Sequence, residues 1–396
     1  MESATHILFA LFLIFGSAKL LGELFERIKQ PAVVGEILAG IILGPQVLNL
    51  IGASAIFPAL AEIGVIILLF NVGLQTKVEE IMSVGTSSLV VAVLGVIFPF
   101  ILGYVYTLIM NYTTMESMFI GAAMVATSVG ITARVFADLG IVQTKIARVI
   151  LGAAVIDDII GLIVLAIITG LGKGTLSFIK ISLIILEAVG FIFFLVVIGR
   201  RIAHRVIPKV AEFRTKDAVF SLSIIFCLFL SAVSSYIDLA AIVGAFLAGM
   251  VLAELNVKFG LSVKMESLHD FLVPFFFVIL GSWIDLSVFT QPALLLSALL
   301  ITVFAILGKI LGCGLGALNL GKKEALIVGF GMVPRGEFVL IIASVGLSMQ
   351  AITPNLYTVI ISMVMVTTLI TPPILRGLVS KLRGKKTPND EKTKTD

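Results

Sequence analysis

Charge is scarce in this 396-residue chain: Asp, Glu, Lys and Arg make up 13% of it, against about 25% in a soluble domain. Cysteine and histidine are scarcer still. Cys227 and Cys313 both lie inside apolar runs and offer neither a disulfide framework nor a metal-ligand spacing. The histidines His6, His204 and His269 are too scattered to suggest a zinc site. A cleavable leader is not expected either, and the first segment reads as a retained span. The first apolar run lacks a basic start and ends at Glu23, Glu26 and Arg27, where a leader would end in small residues. What remains is apolar sequence. Hydrophobic residues are 59% of the chain, mean hydropathy is +1.17, and long apolar runs recur throughout. This excludes an ordinary soluble fold and predicts an all-α polytopic membrane protein.

Thirteen candidate spans fall at about 4–25, 31–50, 57–76, 86–110, 115–138, 146–170, 178–200, 217–236, 238–256, 267–284, 291–318, 323–348 and 355–378. Of the 28 Lys and Arg, four lie at depth: Lys19, Arg134, Lys309 and Arg335. On alternating sides, 22 of the rest share the side of the C-terminus, and only Lys173 and Lys180 fall on the other. Positive loops stay inside, so the C-terminus is expected inside and the N-terminus outside. Residues 1–382 read as one transmembrane domain. The polar tail, residues 383–396, reads as a disordered cytoplasmic segment with no regulatory domain.

VGEILAGIIL (34–43) and VGAFLAGMVL (243–252) match at six of ten positions. LFNVGLQT (69–76) and FVILGSWID (277–285) follow at nearly the same offset, with Gly73 against Gly281. The matched spans are seven apart, an odd number, so they cross in opposite directions. That is the inverted-repeat pattern of secondary transporters. Two further spans seven apart look interrupted. VATSVGITARV (125–135) gathers Thr127, Ser128, Gly130 and Thr132; GFGMVPRGEF (329–338) contains Pro334 between glycines. Unwound backbone at membrane depth survives only when buried in protein or facing a cavity. Arg335 and Glu337 beside the second break are expected to compensate each other's charge and the helix ends, with direct participation in transport as the lesser alternative. Arg134 is expected to be structural.

Asp157 and Asp158 stand half-way along the sixth span. Burying one carboxylate at bilayer centre costs about 2.5–3.5 kcal/mol. Helical neighbours lie about 100° apart, so one acid can face a cavity while the other meets a partner. Lys309, deep in FAILGKILGCGLG (304–316), is the obvious partner. Two acids and one amine in low dielectric titrate as a coupled set, and such a set can exchange protons for a small cation. The bland alternative is a salt bridge tying two helices, which leaves the second aspartate unexplained. Glu36, Glu62 and Glu187 are expected to be packing or funnel-lining residues. Glu23 is expected at the interface.

At these residues the chain resembles the monovalent cation:proton antiporter-2 family, in particular its bacterial Na+/H+ antiporter branch. The matching stretches are QPAVVGEILAGIILGP (30–45), VATSVGITARV (125–135), LGAAVIDDIIGLI (151–163), LGKILG (307–312) and GMVPRGEF (331–338). The resemblance implies thirteen helices, a dimerisation domain and a mobile core with two crossed broken helices. Core helices are expected at about 57–138, 146–170, 267–348 and 355–378, with the remainder as scaffold. It further implies that Asp158 carries cation and proton, and that Asp157 pairs with Lys309 and releases it when the ion enters. Thr127 and Ser128 would offer oxygens at the crossing, a donor type suited to Na+ or Li+. Electroneutral relatives have Asn-Asp where this chain has Asp157-Asp158, so the pair points to electrogenic exchange.

The expected function is alternating-access exchange of Na+ or Li+ for protons in the inner (plasma) membrane, by a homodimer. A K+/H+ antiporter of the same fold is the alternative. An intramembrane aspartyl protease is a distant one: adjacent acids on one helix cannot share a proton, and no GxGD motif is present. The expected partners are the cation, protons and lipid; no cofactor, resident metal, catalytic residue or nucleic acid is expected.

Overall fold

The structure, a computed structural model, describes residues 4–51, 56–172, 178–215, 217–283 and 292–383. Its helices are α1 (Ala4–Arg27), α2 (Ala32–Leu43), α3 (Ile56–Leu74), α4 (Val78–Met82), α5 (Gly85–Ile109), α6 (Thr114–Ala123), α7 (Val129–Asp138), α8 (Lys145–Gly172), α9 (Phe178–Phe194), α10 (Arg200–Val210), α11 (Ala218–Tyr236), α12 (Ala241–Phe259), α13 (Leu261–Ser282), α14 (Pro292–Gly316), α15 (Lys322–Gly331), α16 (Glu337–Ser348) and α17 (Pro354–Arg383). A π-turn over Leu195–Gly199 joins α9 to α10. Among the described residues, nine helical stretches are long and apolar enough to cross a membrane. The fold is therefore all-helical and polytopic, as lipid requires of a chain that must satisfy its backbone internally. The tail expected from 383 onward falls outside the described residues except for Arg383, which ends α17. Lys173 and the side chain of Lys180 lie outside them as well.

Packing divides the helices into two groups. In one, α5 lies against α14 and α8, α14 against α15 and α17, and α6 against α16. In the other, α3 lies against α12 and α13, α2 against α1 and α13, and α11 against α12. The expected core ranges included 57–76 and 267–284, yet α3 and α13 pack with the second group. Glycine explains why. A Cβ added at Gly40 on α2 would strike the Val278 carbonyl oxygen of α13, and one at Gly249 on α12 would strike the Phe70 carbonyl oxygen of α3. Small residues at a membrane crossing let two backbones touch, and here they fasten α13 to α2 and α3 to α12.

These contacts repeat along the chain. Gly40 meets Gly281, and its counterpart Gly249 meets Gly73. Gly35 sits against Leu21, and 209 residues further on Gly244 sits against Leu230. The sequence match between 34–43 and 243–252 is thus also a match of packing partners. Gly40→Ala should lower stability by about 1–3 kcal/mol, the usual penalty for overpacking. Gly16→Ala on α1, where nothing lies within 4 Å, should leave stability equal or higher. Thermal unfolding of both variants in detergent tests the pair; equal melting temperatures would count against the close crossing.

Candidate functional site

Two helices stop and restart in the middle of the first group. Met124 to Ser128 separate α6 from α7, and Met332 to Gly336 separate α15 from α16. α6 begins with a capping box, in which the Glu116 N–H donates to Thr113 Oγ1 and the Thr113 N–H donates to Glu116 Oε2. Its far end is deep in the protein, where open helix ends need partners. The two breaks supply them to each other. The Ser128 N–H donates to the Pro334 carbonyl at 2.8 Å. Thr127 Oγ1 donates to the Met332 carbonyl at 3.2 Å, and Thr132 Oγ1 to the Gly331 carbonyl at 2.6 Å. Pro334 has no N–H to satisfy and fits a segment that is not helical.

Arg335 serves the first break rather than its own. It is fully buried, and its Nη1 donates to the carbonyls of Val125 and Ala126 at 3.2 and 2.7 Å. A cation there meets the negative end of α6. Its own carbonyl accepts from Thr368 Oγ1 on α17 at 2.9 Å. Glu337 starts α16, and its side chain, with the expected Arg335 pairing, lies outside the described residues. Thr132, already in the interrupted stretch, and the unforeseen Thr368 both join the crossing. Thr368 stood out only as a hydroxyl residue in an apolar run.

Both aspartates sit mid-way along α8 and face different ways. Asp157 is 1% exposed, and Lys309 Nζ on α14 lies 3.2 Å from each of its oxygens. Room for Cys313, one turn beyond Lys309, comes from the opposite helix. A Cβ at Gly95 on α5 would collide with Cys313 Sγ and lie 3.6 Å from Lys309 Nζ. Asp158 instead lines a cavity of about 720 Å³, together with Thr127, Ser128, Gly336 and Phe338. Among the described residues, every ionisable side chain in that wall is acidic: Glu62, Asp158 and Asp238. The cavity also meets Pro58 at the start of α3, Thr169 near the end of α8 and Ala241 at the start of α12. It therefore opens at the end of the bundle opposite the arginines of α10.

The other acids divide. Glu62 is in the cavity wall, as a funnel residue would be. Glu36 is buried and pairs with Arg134. Glu23 is exposed and pairs with Arg27 at 2.9 Å. Glu187 is exposed on α9, neither packed nor in the cavity wall; a single acid in an apolar run carries no signal for the direction it faces.

The family described as Sodium/hydrogen exchanger, transmembrane, matches residues 8–381. The Na(+)/H(+)-K(+) antiporter GerN of Bacillus cereus is 37% identical over 372 residues, covering 93% of this chain and 95% of that protein. The high-affinity Na(+)/H(+) antiporter NhaS3 of Synechocystis is 35% identical, covering 96% and 92%. The solved sodium proton antiporter MjNhaP1 of Methanocaldococcus jannaschii shares the fold at 18% identity, with a TM-score of 0.75 over 98% of this chain and 100% of that one.

Proposed function

Because the chain belongs to the sodium/hydrogen exchanger family, we propose that it exchanges Na+ or Li+ for protons by alternating access, with Asp158 as the shared carrier. It is a multi-pass membrane transporter, not an enzyme, and Na+/H+ antiport is its activity. One observation carries the mechanism. Of two adjacent buried carboxylates, one is tied to a buried lysine while the other forms the wall of an open cavity at the helix crossing. The cation takes the place of a proton on Asp158 and draws further oxygens from Thr127, Ser128 and the unwound backbone, a hard-donor set. Asp157 then exchanges Lys309 for the cation, which makes the cycle electrogenic.

Leaving out the five-residue α4, and counting each broken pair as one crossing and α9 with α10 as one, gives thirteen crossings. With the basic loops inside, the N-terminus lies outside and the cavity faces out. The proposed mobile core is α5–α8 with α14–α17, the proposed scaffold α1–α3 with α9–α13. A homodimer in the plasma membrane completes the reading. Asp158 also borders a void of about 10 Å³ walled by apolar side chains such as Leu69, Val155 and Phe246. The name of GerN, a Na(+)/H(+)-K(+) antiporter, supports K+ as a second cargo.

Purified protein in liposomes tests this directly. An imposed Na+ gradient should move protons, and repeating the assay with Li+ and K+ ranks the cargo. Proton flux insensitive to every cation would overturn the reading. Competition sets the pH dependence. Protons and cations share the same carboxylates, so the apparent cation KM should rise as pH falls, by up to about tenfold per unit once protonation dominates. A KM constant from acid to alkaline pH would count against a shared site.

A further inference from the structure

A second buried polar cluster lies away from this site, where α2 meets α7. Glu36 is 2% exposed and Arg134 8% exposed. Glu36 Oε1 and Arg134 Nη2 stand 3.7 Å apart, and Arg134 Nε lies 3.1 Å from Asp138 Oδ1. Satisfaction is incomplete. Glu36 Oε2 and Arg134 Nη1 are both buried and lack a hydrogen-bond partner. A buried ion pair is weak evidence of stabilisation even when every atom is paired, and this one is half paired. It also lies where the two groups meet: α2 packs with the second group, while α7 packs against α8 and α17 of the first as well as α3 and α2 of the second.

The internal repeat gives the pair a counterpart to be compared with. Shifted by one repeat, α2 becomes α12 and α7 becomes α16. Between α12 and α16 the cavity is open, with Ala241 and Ile242 on one wall and Phe338 and Ile341 on the other. In the matched motif Glu36 falls on Ala245. Arg134, the sixth residue of α7, falls on Ile342, the sixth of α16. So the seam that holds the ion pair is shut, and the related seam, with Ala245 and Ile342 at the matching positions, is open.

We propose that Glu36 and Arg134 are positioning residues for antiport, a one-sided clasp that holds the inner seam shut and parts in every transport cycle. The proposal rests on the alternating-access reading. The clasp biases the empty protein toward the state open opposite the basic loops. Its unpaired atoms ease separation, because water can take them up when the seam opens. Removing the charge removes a contact made in one state only, which is what shifts a two-state population.

The test reads sidedness. Ala241→Cys places a thiol in the wall of the open cavity, and the native Cys227 and Cys313 are buried. A membrane-impermeant maleimide is applied from the outer side to this parent, to Glu36→Gln and to Glu36→Gln/Arg134→Gln. Labelling should slow by about threefold or more in both variants as the population moves away from the outward-open state. The apparent Na+ KM measured from outside should rise while the maximal rate persists. A tie that merely stabilises would lower the melting temperature and leave labelling and KM unchanged, and that result overturns the proposal. The double variant leaves no unpaired charge within the buried pair, and Asp138, which loses Arg134, has a side chain 30% exposed to water, so it serves if the single variant does not fold. Parent flux scores the underlying reading separately. No Na+-driven proton flux in the parent sinks antiport; normal parent flux with unchanged labelling in the variants sinks the clasp alone.

Discussion

Asp158→Asn should reduce Na+-driven proton flux to the level of protein-free vesicles. The side chain keeps its volume and its hydrogen-bonding capacity but can neither hold a negative charge nor release a proton. Nothing else at the cavity base offers the same chemistry, since the neighbouring acid is engaged by Lys309. Folding should survive. The carboxylate is 8% exposed, and ionised burial at membrane depth costs about 2.5–3.5 kcal/mol, so the amide should hold or raise the melting temperature. Greater stability with no transport is the pattern of a strained functional group. Glu62→Gln is the control: it sits in the same cavity wall, and exchange should continue with at most a changed KM. Exchange at parent rate in Asp158→Asn, with Na+ still required, would remove Asp158 from the mechanism.

Much of this site is legible in the sequence. A membrane span has little use for two carboxylates and a lysine, so Asp157, Asp158 and Lys309 stand out on cost alone. The 100° step between neighbours separates their directions before any coordinates exist. Pro334 and the Thr127–Ser128 stretch likewise mark backbone that cannot stay helical. The packing is harder to read. In soluble helices the polar face announces the outside, but here apolar side chains surround most helices, and a lipid-facing leucine looks like a buried one. Sequence alone therefore groups α3 and α13 with the expected core ranges, whereas they pack against α12 and α2, although Gly73 and Gly281 are visible in the motif. What Gly40 touches depends on a helix 240 residues away. Sequence neighbours suggest Glu337 as a partner of Arg335, but they do not show that its guanidinium also reaches a break some 210 residues earlier. Glu36 and Arg134 are both conspicuous, but neither motif announces the other.

Lys309→Gln separates a switching partner from a brace. If Lys309 only ties α14 to α8, its loss is a matter of stability. Removing one member of a buried ion pair costs about 3–5 kcal/mol, because the other is left as an uncompensated charge. Asp157, with no exposure of its own to water, would then take up a proton, and the melting temperature would fall while transport kept its stoichiometry. If Lys309 switches, charge counting gives a different outcome. An electroneutral cycle moves one proton for each monovalent cation, and an electrogenic one needs one further charge. At this depth Asp157 and Lys309 are the groups able to supply it. With Gln at 309, Asp157 stays protonated in the empty state or carries its proton with it, and the extra charge disappears. Exchange should continue through Asp158 with its dependence on membrane potential reduced toward zero. The measurement is Na+-driven proton flux in proteoliposomes with the potential clamped at several values, or current on a supported membrane. Asp157→Asn should have the same electrical consequence, because it removes the other half of the same charge. Voltage dependence unchanged in both variants, with melting temperatures lowered, would make the pair a brace and would move the electrogenic step elsewhere.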